Sequence, residues 1–208
     1  MNGMSFAPQR SNTLQTVALA VVVLACTLLP ASLSAQTCTG LSTPNLVVNG
    51  GFEQGNGFNI TGWNVAWNSS ADPYMFISNS NVHSGSQTLW MGAIPGSNRI
   101  YQSIPNLSPG SVYTVCFWLA NDSNCCASSF QAMWNDNPVL DMVNNAGFGY
   151  QYYSFQVVAV GKGRDVLSFQ ARQVPSYYYL DDISLQQCTG CTLNFTEQGK
   201  HSGPLANE

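Results

Sequence analysis

The sequence predicts an all-β sandwich, and three observations support this prediction. Apolar and polar residues alternate with a period close to two in segment after segment, which is typical of strands with one buried face. Gly, Pro, Asn and Ser interrupt the alternation about every 8 to 15 residues, as turns between short strands would. Downstream of residue 35, no stretch shows the apolar spacing of an amphipathic helix.

The strands are predicted in order from this alternation. The longest follows the turn signal Pro109 and Gly110, and in it Tyr113 and Val115 share one face with Phe117 and Leu119. The acidic segment around Pro138 is predicted to be a solvated turn. The predicted strands are Leu46 to Asn49, Trp63 to Trp67, Tyr74 to Ile77, Ser86 to Met91, Arg99 to Ile104, Ser111 to Ala120, Phe130 to Trp134, Tyr152 to Val160, Val166 to Arg172 and Tyr179 to Leu185.

The N-terminal segment has the organisation of a secretory signal peptide. Arg10 precedes an apolar run from Val17 to Leu29, and Pro30 and small residues then lead to Ala35. The run is shorter than the ~20 apolar residues of a comfortable membrane span. An uncleaved anchor is the competing interpretation, and lipidation at a cysteine inside the run stays open. We therefore predict a secreted protein with no membrane contact after signal removal. The predicted division is residues 1–35 as signal peptide, 36–44 as linker, 45–187 as a single domain and 188–208 as a C-terminal tail.

Charge and composition narrow the class of partner. Charged residues make up 8% of the chain, the net charge is −4, and the six Lys and Arg form no cluster. So few cations cannot neutralise the phosphates that a nucleic-acid ligand presents, which excludes that class. The abundance of Asn, Ser, Gln, Gly and Tyr favours neutral polar ligands such as glycans.

Six cysteines follow the predicted signal peptide, and an even number in an exported protein indicates disulfides. One precedes the first predicted strand and two follow the last, so a bond between these groups would tie the termini if those strands are neighbours. A cysteine of the polar loop after Asn121 could reach Cys116. The connectivity stays open at this stage. The candidates are Cys38, Cys116, Cys125, Cys126, Cys188 and Cys191.

Several segments, in the right order, carry a family resemblance. They are Asn45 to Glu53 (NLVVNGGFE) with Gly62 and Trp63, His83 to Gly85, Tyr101 to Ile104, Leu107 to Thr114, and Leu180 to Leu185. Together they resemble galactose-binding-like jelly rolls, the group that includes cellulose- and xylan-binding modules found beside bacterial glycosidases. Phe117 to Asp122, Ala146 to Tyr150 and Pro175 to Leu180 are more closely similar to secreted bacterial proteins of unknown role with a C-terminal PEP-type sorting signal. Residues 188–208 depart from that group, since they hold no apolar span and no basic cluster.

The resemblance implies a single-domain jelly-roll sandwich with a structural Ca²⁺. Related jelly rolls hold this ion between the first strand, a following loop and the last strand. Mapped here, its ligands are the side chains of Glu53 and Asp181 and carbonyls around Ser84 and Gly85, with Asp182 as a substitute for Asp181. Calcium takes roughly six to eight oxygens from such groups. The alternative is that Glu53 and Asp181 cap loops or pair with an arginine.

A glycan site needs aromatic platforms flanked by polar groups, because sugar rings stack their C–H faces on aromatic rings. Trp118, Gln131, Met133 and Arg172 fall on strand faces opposite the core series, and they would line one surface if those strands are adjacent. Trp67, Tyr74 and the run from Tyr177 to Tyr179 would add walls. The competing interpretation places most aromatic residues in the core, where Trp63, Phe117, Trp134 and Phe169 belong. The predicted ligand-binding residues are Trp118, Gln131, Arg172, Trp67, Tyr74 and Tyr178.

Enzyme chemistry finds little support in the sequence. There are two histidines, His83 and His201, and neither a nucleophile elbow nor a metalloprotease motif is present. Asp181 and Asp182 are consecutive in a predicted strand, so they are expected to point to opposite faces. We therefore predict a secreted, non-catalytic module that binds extracellular or cell-wall polysaccharide, or a glycoconjugate, through one sheet face. The alternative is an extracellular structural or protein-interaction module of the cell surface or matrix that has no glycan ligand.

Overall fold

The described chain is a sandwich of two five-stranded antiparallel sheets with a small two-stranded hairpin. The computed structural model describes residues 43–68, 74–94, 96–122, 127–173 and 175–188. All regular elements in these ranges are strands, and none of these residues forms a helix long and apolar enough to span a membrane. The all-β sandwich prediction is confirmed. The predicted signal peptide, and nearly all of the predicted linker and tail, lie outside the described residues.

Within the described residues, twelve strands build the two sheets and the hairpin. The order in the first sheet is β10-β7-β12-β5-β4, the order in the second is β3-β6-β11-β8-β9, and β1 pairs with β2. In chain order the strands are β1 (Gly55–Asn56), β2 (Asn59–Ile60), β3 (Asn64–Ala66), β4 (Met75–Ser78), β5 (Thr88–Met91), β6 (Asn98–Ile104), β7 (Val112–Asn121), β8 (Ser129–Trp134), β9 (Asn137–Val143), β10 (Phe148–Val158), β11 (Asp165–Arg172) and β12 (Tyr178–Gln187).

The core lies between the sheets and is built by the predicted alternation. Phe117 and Leu119 of β7 and Phe169 and Leu167 of β11 belong to this core, and all four are fully buried. The rings of Phe117 and Phe169 pack edge to face, with 5.1 Å between ring centres. Each such side chain contributes roughly 1.5–3 kcal/mol relative to an exposed position. The four aromatic residues that were predicted to be core are all buried, namely Trp63, Phe117, Trp134 and Phe169.

The segment from Leu46 to Asn49 is not a strand, contrary to the prediction. The left-handed backbone of Asn49 and Phe52, with φ of 51° and 56°, turns the chain there. The start of the segment still lies beside β12, because the Leu46 N–H donates to the Leu185 carbonyl at 2.9 Å. The Asn45 side chain accepts the Leu185 N–H at 2.9 Å. Local turn geometry thus replaces the predicted ladder.

Strand β9 replaces the turn that was predicted around Pro138. Asn135 and Asp136 have φ of 51° and 62°, which is the left-handed pair that a tight hairpin requires. The chain therefore turns earlier than expected and pairs β9 with β8. Pro138 is tolerated because β9 is an edge strand, where a missing N–H breaks no ladder on the open side.

Candidate functional site

The outer surface of the second sheet carries a patch of polar side chains. On β11 the residues Leu167, Phe169 and Ala171 point into the core, so the alternate positions point away from it. The same argument applies to the neighbouring strands β6 and β8. We call this patch the polar face, and it consists of Arg99, Tyr101, Gln131, Met133, Ser168, Gln170 and Arg172.

The strand register arranges the polar face in rows. Gln170 lies between Arg99 of β6 and Gln131 of β8, and Asp141 of β9 extends this row beyond Gln131. A second row holds Ser168 between Tyr101 and Met133. Neighbouring strands are ~4.8 Å apart, so adjacent members of a row can touch one ligand.

The fold leaves hydrogen-bonding groups of the polar face unused. Ser168 is fully buried, and its Oγ has no hydrogen-bond partner among the described residues. The Nε atoms of Arg99 and Arg172 are also buried without a partner in the same ranges. Such groups are normally satisfied, because a buried unpaired polar atom costs about 1–3 kcal/mol. These atoms are enclosed by neighbouring side chains, so a ligand would meet the partly exposed parts of the polar face, namely Arg99, Tyr101, Gln131, Gln170 and Arg172.

Arg99 is held in place from two sides. Its Nη2 donates to Asp136 Oδ1 at 2.5 Å, and its guanidinium carbon lies 5.9 Å from the centre of the Tyr101 ring. The second distance permits a cation–π contact, which orients the Tyr101 ring against the sheet. Tyr101 is therefore a positioned aromatic ring among polar groups.

Gln131, Met133 and Arg172 lie on this face, as their strand positions predicted. Trp118 does not join them, because β7 belongs to the first sheet and the outer sides of the two sheets face opposite ways. These four residues were expected to line one surface only if their strands are adjacent, and β7 does not meet that condition. Alternation shows which face of a strand is outward, but it does not show which sheet the strand enters.

Trp118 is covered by a neighbouring ring. The His83 imidazole stacks on it with 4.0 Å between ring centres and 19° between the planes. Tyr152 of β10 lies beside it, at 5.5 Å between ring centres. His83 thus occupies one π face of Trp118, and Tyr152 lies beside the ring.

The three remaining predicted ligand residues are dispersed. Tyr178 is fully buried and packs on Phe130 at 5.4 Å between ring centres, so it belongs to the core and cannot meet a ligand. Trp67 and Tyr74 are each 38% exposed. The Trp67 ring neighbours Phe58 at 6.4 Å, in a separate aromatic group that continues to β4 and β5.

The sequence analysis did not identify Arg99, Tyr101 and Gln170 as members of the polar face. The signal was present in the alternation of β6, since Ile100 and Ile104 are core residues and Arg99 and Tyr101 therefore face outward. What the sequence could not supply is that β6 lies next to β11.

Glu53 binds the loop before β5. Its Oε1 accepts the N–H groups of Ser86 at 2.9 Å and of Gln87 at 3.0 Å, and its Oε2 accepts the Ser86 hydroxyl at 2.5 Å. Burial alone would raise the pKa of this carboxyl, but the three hydrogen bonds together lower it below its usual value. Gly85 fits against the same carboxylate, because a Cβ there would lie 2.2 Å from Oε1.

Asp181 and Asp182 bind the preceding part of that loop. Asp181 Oδ2 accepts the His83 N–H at 3.0 Å, while Asp182 lies 2.6 Å from His83 Nδ1 and accepts the Ser84 hydroxyl at 2.7 Å. The prediction that the two aspartates point to opposite faces is wrong. A register shift between Asp181 and Ser184, with a φ of 51° at Asp182, turns both carboxylates toward one loop.

The chemistry of these groups fits the implied Ca²⁺ in part. All are oxygen donors, and burial together with the charge of Asp182 raises the pKa of Asp181 to about 8, a repulsion that a cation would relieve. However, within the described ranges no group of three or more His, Cys, Asp or Glu side chains is arranged to hold a metal ion. Hydrogen bonds show Glu53 and Asp181 capping the 83–87 loop, and Arg172 lies in the other sheet. The calcium site stays a prediction.

The disulfide candidates are only partly described. Cys116 of β7 lies opposite Ser184 of β12. Cys188, just after β12, lies beside Val112 at the start of β7, because its N–H donates to the Val112 carbonyl at 3.0 Å. Val112 and Cys116 are four positions apart on β7, roughly 13 Å, which is too far for a disulfide between Cys116 and Cys188. Cys38, Cys125, Cys126 and Cys191 lie outside the described residues, so the pairing stays a prediction.

Comparison with known proteins identifies solved structures that have the same fold. No family model and no curated protein matches the chain. A solved carbohydrate-binding module, TmCBM61 in complex with β-1,4-galactotriose, matches with a TM-score of 0.54 and 18% identity over 70% of this chain and 100% of that one. The chain has the jelly-roll fold of carbohydrate-binding modules.

Two longer solved chains share this fold. The CBM22-1–GH10 modules of Clostridium thermocellum xylanase 10B, complexed with xylohexaose, match with a TM-score of 0.50 and 13% identity over 73% of this chain. The enzymatically active domain of bacteriophage CBA120 tailspike protein 4 matches with a TM-score of 0.50 and 17% identity over 69% of this chain. The match covers 30% of the xylanase chain and 21% of the tailspike chain.

Proposed function

We propose that this protein is a secreted, non-catalytic module that binds extracellular or cell-wall polysaccharide on the polar face. The single observation that carries the proposal is the positioned ring of Tyr101, which lies on one sheet surface next to a row of partly exposed polar side chains. The fold it shares with a galactotriose-bound module supports the same class of ligand.

In this proposal, one residue of the polar face stacks on the sugar and others form hydrogen bonds with it. A sugar ring stacks on Tyr101, where the C–H face of the sugar meets the π face of the phenol. Gln131 and Gln170 lie side by side in the neighbouring row, and each amide both donates and accepts hydrogen bonds with sugar hydroxyls. The row direction, across three strands, provides an extended surface rather than an end pocket.

Catalysis is not part of the proposal, because the carboxylates near the polar face suit it badly. Glycosidases place two carboxyl groups on either side of the scissile bond, and one of them is a desolvated acid. Asp136 is engaged by Arg99, its side chain is 76% exposed, and Asp141 is exposed as well. Neither has the buried environment of a general acid.

A glycan array tests the proposal with residues 36–208 as the wild type and two variants. Gln170→Ala removes an amide from the polar face, whereas Gln156→Ala removes an exposed amide from β10 on the opposite sheet. We expect binding to a defined polysaccharide that weakens about tenfold in Gln170→Ala and is unchanged in Gln156→Ala. Folded wild-type protein that binds no glycan would refute the proposed function.

One observation favours the alternative of a protein-interaction module. Phe58 is 57% exposed and packs edge-on against Phe76, which continues to Trp90 and Tyr177 at 5.6 Å between ring centres in each case. Contiguous exposed aromatic surface often marks a contact with another protein. If the array is negative, this aromatic group becomes the leading candidate interface.

A further inference from the structure

Arg172 differs from the other cation of the polar face. Arg99 is neutralised by Asp136, and the remaining ion pair among the described residues joins His83 and Asp182. Arg172 therefore forms no ion pair within the described chain, and its Nε is buried without a hydrogen-bond partner. A guanidinium is charged at any physiological pH, and leaving it partly buried and unpaired carries a desolvation cost.

The strand neighbours of Arg172 offer no compensating carboxylate. Ser129 lies directly opposite on β8, Val143 follows on β9, and Gln170 is the previous outward residue of β11. The nearest acidic residue by register is Asp141 of β9, which lies opposite Gln131. Strand β8 lies between β9 and β11, and Asp141 is also one row away from the row of Arg172. The charge of Arg172 thus has no counter-ion among these strand neighbours.

The positive charge of Arg172 stands in a chain that is acidic and has few cationic residues. The net charge is −4, and only six of its 208 residues are Lys or Arg. Two of the six lie on the polar face, and two others, Lys162 and Arg164, lie in the turn between β10 and β11. A negatively charged surface disfavours polyanions in general, so a lone unpaired cation within a sugar-binding face indicates a specific anionic group.

We propose that the ligand of the polar face is a uronate-bearing polysaccharide and that Arg172 binds a uronic acid carboxylate. This rests on the proposed function and deepens it. Because Arg172 Nε is enclosed, the fork that it can offer a ligand is the pair of terminal Nη–H groups, which matches the two oxygens of a carboxylate. Arg172 and Tyr101 lie on the same face two strand rows apart along the sheet, so the stacked sugar and the uronate are different residues of one chain.

The experiment compares acidic polysaccharides with their own neutral forms. Polygalacturonate, alginate and glucuronoxylan are each immobilised before and after chemical reduction of the carboxylates to primary alcohols. We expect wild-type residues 36–208 to bind at least one native form about tenfold more tightly than its reduced form. Arg172→Gln lowers that affinity to the level of the reduced form, while Arg172→Lys retains part of it because the charge remains but the fork is lost.

Two controls separate specific recognition from general electrostatics and from misfolding. Arg164→Gln removes a turn cation and leaves uronate binding unchanged, and dextran sulfate, a dense polyanion without carboxylates, binds more weakly than the uronates. Circular dichroism and the melting temperature confirm that each variant is folded.

The outcomes distinguish this inference from the proposed function. If the protein binds glycans but prefers neutral or reduced forms, or binds dextran sulfate as tightly as uronates, the inference is overturned and the glycan-binding function stands. If folded protein binds no glycan at all, the proposed function fails and the inference falls with it. Loss of the uronate preference in Arg164→Gln would likewise overturn the role of Arg172.

Discussion

His83 lies flat on Trp118, with 4.0 Å between ring centres, and is fixed there because its Nδ1 is 2.6 Å from Asp182 Oδ2. The stack joins the 83–87 loop to the outer side of the first sheet. Trp118 therefore supports a loop rather than presenting a free platform, although the sequence made it the first candidate for sugar stacking.

Trp118→Ala is expected to weaken the fold and spare glycan binding. Loss of the ring removes its packing on His83 and Tyr152 and lowers the free energy of unfolding by about 1–3 kcal/mol. Urea denaturation measures this change, and affinity electrophoresis of the folded variant measures binding. A stable variant that no longer binds polysaccharide would show that Trp118 is a ligand residue after all.

Gly85→Ala is expected to be more destabilising than a matched glycine change. Gly85 has a φ of +67° and faces Glu53 Oε1, whereas Gly163 has a φ of +68° and no atom of the described residues within 4 Å of an added Cβ. Both substitutions strain the left-handed backbone by about 1–2 kcal/mol, but only Gly85→Ala also displaces a carboxylate. Comparing the two urea midpoints isolates the contact. Equal losses would mean that the Glu53 capping adds nothing to stability.

Calcium is expected to stabilise the protein through Glu53 and Asp181. At a Ca²⁺ concentration 100 times the dissociation constant, binding would add about 2.7 kcal/mol, which chelation removes. Differential scanning calorimetry with and without chelator measures the shift, and Glu53→Gln is expected to abolish it. If neither Ca²⁺ nor chelator changes the melting temperature, no calcium ion is bound at this loop, and hydrogen bonds alone hold it.

Alkaline pH is expected to unfold the protein through its buried tyrosines. Burial raises the pKa of Tyr178 and of Tyr153 above the usual value of 10.0. Because the unfolded chain releases these protons at lower pH than the folded one, stability is intact below pH ~10 and falls as the pH rises above it. Absorbance of phenolate against pH, followed together with circular dichroism, tests this. Ionisation of all tyrosines near pH 10 without unfolding would contradict the burial.

The sequence was sufficient for the class of fold and for the outward face of most strands, because alternation is a local property. Gln131 and Arg172 were placed on one face for this reason, and the structure agrees. The sequence was insufficient to predict which strands pair, because pairing depends on contacts between segments that are far apart in the chain. Trp118 was therefore grouped with residues of the opposite sheet, and Tyr101 was missed.

Local irregularities account for the other differences. The bulge at Asp182 reverses the expected direction of one carboxylate, and no strand pattern signals it. Tyr177, Tyr178 and Tyr179 are chemically equivalent in sequence, so nothing shows that Tyr178 is the one that enters the core. Strand β9 was not predicted because Asn135 and Asp136, which form the tight turn before it, are equally common in open loops.

The most direct test of polysaccharide binding on the polar face is a paired measurement of affinity. Tyr101→Ala and Tyr152→Ala each remove one outward tyrosine, from opposite sheets of the same sandwich. Affinity electrophoresis on the polysaccharide identified by the array is predicted to show binding lost in Tyr101→Ala and kept in Tyr152→Ala. Binding kept in folded Tyr101→Ala and lost in Tyr152→Ala would place the ligand on the first sheet and contradict the account.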